Sequence, residues 1–80
     1  MLTIYIETAI RHARCEVFDE DGTHYCEIPE CPGVWANEPT RDLALEELRS
    51  ALEDWIALGL AMHDPLPEID GVTIVIQGVA

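Results

Sequence analysis

From Thr40 to Met62 the chain sets apolar residues on one side of a helix and acids on the other, which limits every fold open to it. Ala44, Leu48, Ala51, Leu52, Trp55, Ile56 and Gly59 fall on one stripe; Asp42, Glu46, Glu47, Ser50, Glu53 and Asp54 fall on the opposite side. A helix over about residues 41–62 is roughly 30 Å long, and its stripe is stable only when covered. With 80 residues the chain is one domain by size, residues 1–80, so the cover must come from its remaining segments. Thr40 is placed as the N-cap, its hydroxyl accepting from an N–H of the first turn. Acids in that turn suit the positive end of the helix dipole.

The other segments supply a sheet. Residues 2–13 carry a helical stripe (Leu2, Tyr5, Ile6, Ala9, Ile10, Ala13) over a composition of β-branched and aromatic residues that favours strand. The stripe and the cations Arg11 and Arg14 near its end favour a short helix. From Cys15 the period becomes two, and Asp21-Gly22 between two alternating runs predicts a hairpin, because Gly supplies the positive φ of the turn. His24, Cys26 and Ile28 share one face of its second strand. Pro29, Pro32 and Gly33 break that strand, and residues 34–37 form a third. After the long helix, Pro65-Leu66-Pro67 and Asp70-Gly71 turn the chain into a β-branched run, Val72 to Ile76, expected as the last strand. The order is α-β-β-β-α-β. It predicts an α+β domain, a small mainly antiparallel sheet with the long helix packed on a face.

Charge narrows the function. Sixteen Asp and Glu against four Arg and no Lys give a formal net charge of −12. Nucleic-acid binding needs cations gathered on one face, which four scattered arginines do not provide. The field suits a basic protein partner instead. Hydrophobic residues make up 49% of the chain, too many for a solvated acidic tail. A domain this short buries roughly 60–65% of the surface its unfolded chain exposes. A disulfide, a metal or self-association is therefore the usual supplement. Three cysteines, an odd count, and a start without a basic leader argue against a secreted disulfide scaffold. No apolar run reaches the ~18 residues of a membrane helix. An acidic helix face would be repelled by anionic lipid. The expectation is a cytoplasmic protein that touches neither membrane nor nucleic acid.

No His-x-x-x-His, Gly-x-Ser-x-Gly or phosphate loop is present, so no catalytic residue and no cofactor is expected. His24, Cys26 and Cys31, with Cys15, lie within reach of one another across the hairpin, but their spacing is not that of a zinc knuckle, and no metal site is expected. A reactive thiol needs a basic neighbour, and the acidic surroundings would raise a thiol pKa. His12 and His63, near helix ends, are expected to be exposed and without a role. The candidate partner surface is Trp35 with Glu30 and Asn37 in its loop, and the helix acids Glu46, Glu47, Glu53 and Asp54. Val72, Ile74 and Ile76 are candidates for self-association through an open strand edge.

The segment Tyr25-Cys26-Glu27-Ile28-Pro29-Glu30-Cys31-Pro32-Gly33-Val34-Trp35-Ala36 leads to Thr40 opening the acidic helix, and then to Asp64-Pro65-Leu66-Pro67-Glu68-Ile69-Asp70-Gly71. In order and spacing, over about residues 4–74, this resembles the HicB-like antitoxin family. The resemblance implies a partial ribonuclease-H-like fold without a working nuclease site, and a place in type II toxin–antitoxin systems. There the antitoxin caps a small basic HicA-like toxin, which has a double-stranded-RNA-binding-like fold and cleaves mRNA with a histidine. Complementary charge would quicken that association and set its specificity. Many members carry a C-terminal DNA-binding module. Here the sequence stops at Ala80, after the expected last strand, so operator contact is expected only through another chain. The family also has short stand-alone members of this length. A homodimer or higher oligomer would relieve the small core.

Two classes of function follow. In the first the chain is a binding module that neutralises a basic RNA-cleaving toxin. In the second it is a residual metal-dependent nuclease of the ribonuclease-H type, which requires clustered carboxylates, Glu16, Glu27 and Asp42 being the acids to inspect.

Overall fold

A computed structural model of the protein describes residues 2–74. Its elements run α1 (Leu2–Arg11), β1 (Arg14–Val17), β2 (His24–Glu27), β3 (Trp35–Glu38) and α2 (Arg41–Ala61). The three strands form one antiparallel sheet in the order β1-β2-β3, and α2 packs across one face of it. This is the expected α+β arrangement.

The long helix is built as its stripe demands. Ala44, Leu48, Leu52 and Ile56 recur every four residues and are buried. They meet Cys26 and Ala36 of the sheet and Ile28, Cys31 and Val34 of the loop that follows β2, all in one core. Thr40 caps the helix, its hydroxyl accepting from the Leu43 N–H at 3.2 Å. At the other end Asp64 donates its N–H to the Gly59 carbonyl and His63 to that of Leu60. That pair of bonds is a Schellman closure, and it puts His63 at φ 58°, in the left-handed region.

The helical stripe wins over strand composition at the N-terminus. Tyr5, Ile6 and Ala9 are buried in the common core, and α1 packs against α2. The helix ends at Arg11 rather than at residue 13, and His12 and Ala13 close it with tighter bonds to the carbonyls of Ala9 and Ile10. The Tyr5 hydroxyl donates to the Pro67 carbonyl at 2.7 Å, joining α1 to the segment after α2.

The hairpin forms with a longer loop than a two-residue Asp-Gly turn. Phe18 and Thr23 face each other, and Gly22, at φ 70°, donates its N–H to the Phe18 carbonyl, so Asp19 to Gly22 make the loop. This register sets Cys15 opposite Cys26, and the two are joined by a disulfide. Two of the three cysteines thus pair, and Cys31 stays free and buried. Among the described residues no helix is long and apolar enough to cross a membrane.

The expected strand from Val72 to Ile76 is corrected as far as residue 74. Asp70 and Gly71 both take positive φ, the geometry of a two-residue turn that folds Val72 back on Ile69. Among the described residues only that bridge forms; Thr73 and Ile74 lie outside any strand, and Val75 and Ile76 lie outside the described residues. Val72 and Ile74 pack half-buried against the core.

Two substitutions test these assignments by urea or thermal unfolding. His63→Gly relieves the left-handed penalty and is expected to stabilise by about 1 kcal/mol. Leu52→Ala opens a cavity where the helix meets the sheet and is expected to cost about 3 kcal/mol.

Candidate interaction surface

The sheet has unlike faces. Cys15, Cys26 and Ala36 form a cross-strand row on the side that α2 covers. On the other side Arg14, Glu27 and Trp35 form one row, and Glu16, Tyr25 and Asn37 the next. No helix covers this second side among the described residues. Phe18, just past β1, stacks on Tyr25 with ring centroids 5.4 Å apart, and Tyr25 on Trp35 at 6.0 Å. Such pairs are worth about 0.5–1.5 kcal/mol each beyond the area they bury. The outcome is a ladder of three rings running from the end of β1 over β2 to β3, with Trp35 54% exposed. The Tyr25 pKa is raised, by burial first and then by the carboxylates of Glu27 and Glu16.

The helix acids Glu46, Glu47, Glu53 and Asp54, with Asp42, are exposed, and none forms an ion pair among the described residues. Asp42 and Glu46 are four apart, a like-charge spacing that weakens the helix by tenths of a kcal/mol. Trp35 stands free on the open sheet face, whereas the other loop candidates are occupied. The Asn37 amide donates to Thr23 Oγ1 at 2.9 Å and to the His24 carbonyl, bracing β3 against the hairpin. Glu30 is held by His12.

His12 is the residue that local reading missed. Its Nδ1 lies 2.6 Å from Glu30 Oε2 and its Nε2 lies 2.7 Å from Asp70 Oδ2, so one ring joins α1, the loop after β2 and the terminal turn. The bonds to Asp70 and Glu30 raise its pKa above the ordinary 6.5. Correspondingly, the bond to His12 lowers that of Glu30 below 4.5. Next to Glu30, burial and then the Glu30 charge push the Cys31 thiol up to about 11, against the pull of the neighbouring Tyr5 hydroxyl. That thiol is protonated and closed in, which matches the acidic-neighbour expectation.

Glu16 and Glu27 project from the open sheet face, and Asp42 belongs to the helix on the other side. These three acids are not brought together. Among the described residues no group of three or more His, Cys, Asp or Glu is placed to hold a metal ion.

The opposite shifts of His12 and Glu30 set a pH window. A raised His pKa contributes stability that is complete below 6.5 and is lost as pH rises through the folded value. A lowered Glu pKa contributes stability that is present above 4.5 and is lost as pH falls through the folded value. The staple is therefore strongest between about pH 4.5 and 6.5. Melting temperature followed against pH is expected to decline above that window in the native chain, and His12→Gln is expected to abolish that decline.

Likeness to known proteins places the chain. No curated protein matches it. The crystal structure of TTHA0281 from Thermus thermophilus superposes with a TM-score of 0.89 at 37% identity, covering 96% of this chain and 95% of that one. The model of the UPF0150-like family matches residues 4–67, from within α1 through α2 to Pro67. The chain is thus a member of the UPF0150-like family.

Proposed function

We propose that this protein is a HicB-like antitoxin or a stand-alone relative, an acidic module that neutralises a small basic, mRNA-cleaving HicA-like toxin by binding it. The observation that carries this reading is the unpaired acid on α2: Asp42, Glu46, Glu47, Glu53 and Asp54 outnumber Arg41 and Arg49 on that helix, stand exposed, and form no ion pair among the described residues. Excess like charge costs the folded state through self-repulsion, and a basic partner removes that cost on binding. A protein that grips RNA is basic by necessity, so its surface complements a chain of net charge −12. The UPF0150-like family is related to HicB-type toxin–antitoxin proteins, which supports the same partner. In this reading the domain works by occupying the toxin's RNA-binding surface, without chemistry of its own.

The test is co-expression with a HicA-like toxin encoded beside it, followed by binding kinetics on the purified pair. Rescue of growth and a stoichiometric complex are expected. Replacing Glu46, Glu47 and Glu53 by Gln and Asp54 by Asn is expected to slow association about tenfold or more at low salt. The difference should vanish near 1 M salt, where the screening length is about 3 Å. A toxin that still cleaves mRNA in the presence of excess protein would end the reading.

A further inference from the structure

On the open sheet face two of the three rings have a carboxylate as direct cross-strand neighbour. Glu16 lies opposite Tyr25, and Glu27 opposite Trp35. Directly opposed residues of an antiparallel pair hold their Cβ atoms about 4.5–5.5 Å apart, so ring and carboxylate can touch one guest at once. We propose that this face seats arginine side chains of a basic protein partner, the guanidinium stacking on the Phe18–Tyr25–Trp35 ladder while Glu16 and Glu27 accept its N–H bonds.

The pairing of ring and acid selects guanidinium over ammonium. Guanidinium is planar and weakly hydrated; it lies flat on an aromatic face and presents a fork of donors at its edge. Lysine is a strongly hydrated point charge and draws mainly on the charge of the face. A shallow depression of about 250 Å³ lined by Arg14, Cys15, Glu16, Tyr25 and Glu27 lies where the fork would enter. Arg14 is the one cation on this face among the described residues, and it stands at the β1 end, across from Glu27. The hairpin loop extends the acid beyond Phe18. There the hydroxyl and N–H of Thr23 both donate to Asp21 Oδ1, holding that carboxyl below its ordinary pKa. A second copy of this chain is a poor occupant, because it would set Glu16, Glu27 and the acidic loop against their own kind.

The proposal rests on the partner being a basic protein, as read above, but it is tested without the toxin. Labelled oligo-arginine and oligo-lysine peptides of equal length are titrated against the full chain and followed by fluorescence anisotropy. The arginine peptide is expected to bind about three- to thirty-fold more tightly, the span of a cation–π contact. Trp35→Ala is expected to remove that preference and leave lysine-peptide binding unchanged, while Trp35→Phe retains most of it. Trp35 is half-exposed, and circular dichroism checks that the variants are folded. Equal affinity for the two peptides, or a preference indifferent to Trp35→Ala, overturns the proposal. So does a native dimer that Trp35→Ala converts to monomer, since the ladder would then be the seat of a second copy. If a HicA-like toxin is bound equally well by the Trp35→Ala variant, the face is not its seat, though the antitoxin reading stands. If the peptide preference holds but no toxin is bound, the arginine seat stands and the antitoxin reading falls.

Discussion

Everything in this small domain hangs on one row of side chains, Ala44, Leu48, Leu52 and Ile56, pressed between the sheet and α1. Burying each of the three large members is worth about 1.5–3 kcal/mol, and no other element presents so long an apolar surface. Among the described residues the sheet has three strands of four residues, too little to stand alone in water. It exists because the helix covers it. The helix in turn keeps its position because Thr40 and the Schellman turn end it sharply on both sides. The disulfide and the Asn37 brace then fasten the edge strands to the middle one.

Around that neutral core the charges are sorted rather than paired. One imidazole accounts for the ion pairs among the described residues, and the acids of α2 are left to solvent. The two outer surfaces consequently differ in kind. The helix offers dispersed negative charge, effective at a distance and weakened by salt. The open sheet face offers rings with carboxylates beside them, effective only in contact. A partner that engaged both would be drawn by the first and recognised by the second.

Much of this was legible in local pattern. The stripe and the Thr40 cap announced α2, and alternation about an Asp-Gly announced the hairpin. What local pattern lacked was distance. Asp21-Gly22 and Asp70-Gly71 are the same dipeptide, yet one closes a four-residue loop and the other a two-residue turn. The difference lies in which strand residues must face the core, and Cys26 and Ala36 settle it for the first. The His12 staple joins residues 18 and 58 positions away, so nothing near His12 signals it. Of the surface candidates, Trp35 and the helix acids were visible as exposed types. Glu30 and Asn37 share the same polar character but have partners that only the fold reveals.

The bonds of Tyr5 to Pro67 and of His12 to Asp70 carry a consequence for synthesis. α1 leaves the ribosome before the groups that hold it are made. A ten-residue helix is marginal by itself in water, so its apolar stripe waits uncovered while about sixty further residues are added. At ordinary elongation rates that wait is roughly 3–12 s. Throughout it the chain trails an unpaired segment of Ile, Tyr and Leu, and nascent-chain chaperones have that interval in which to hold it.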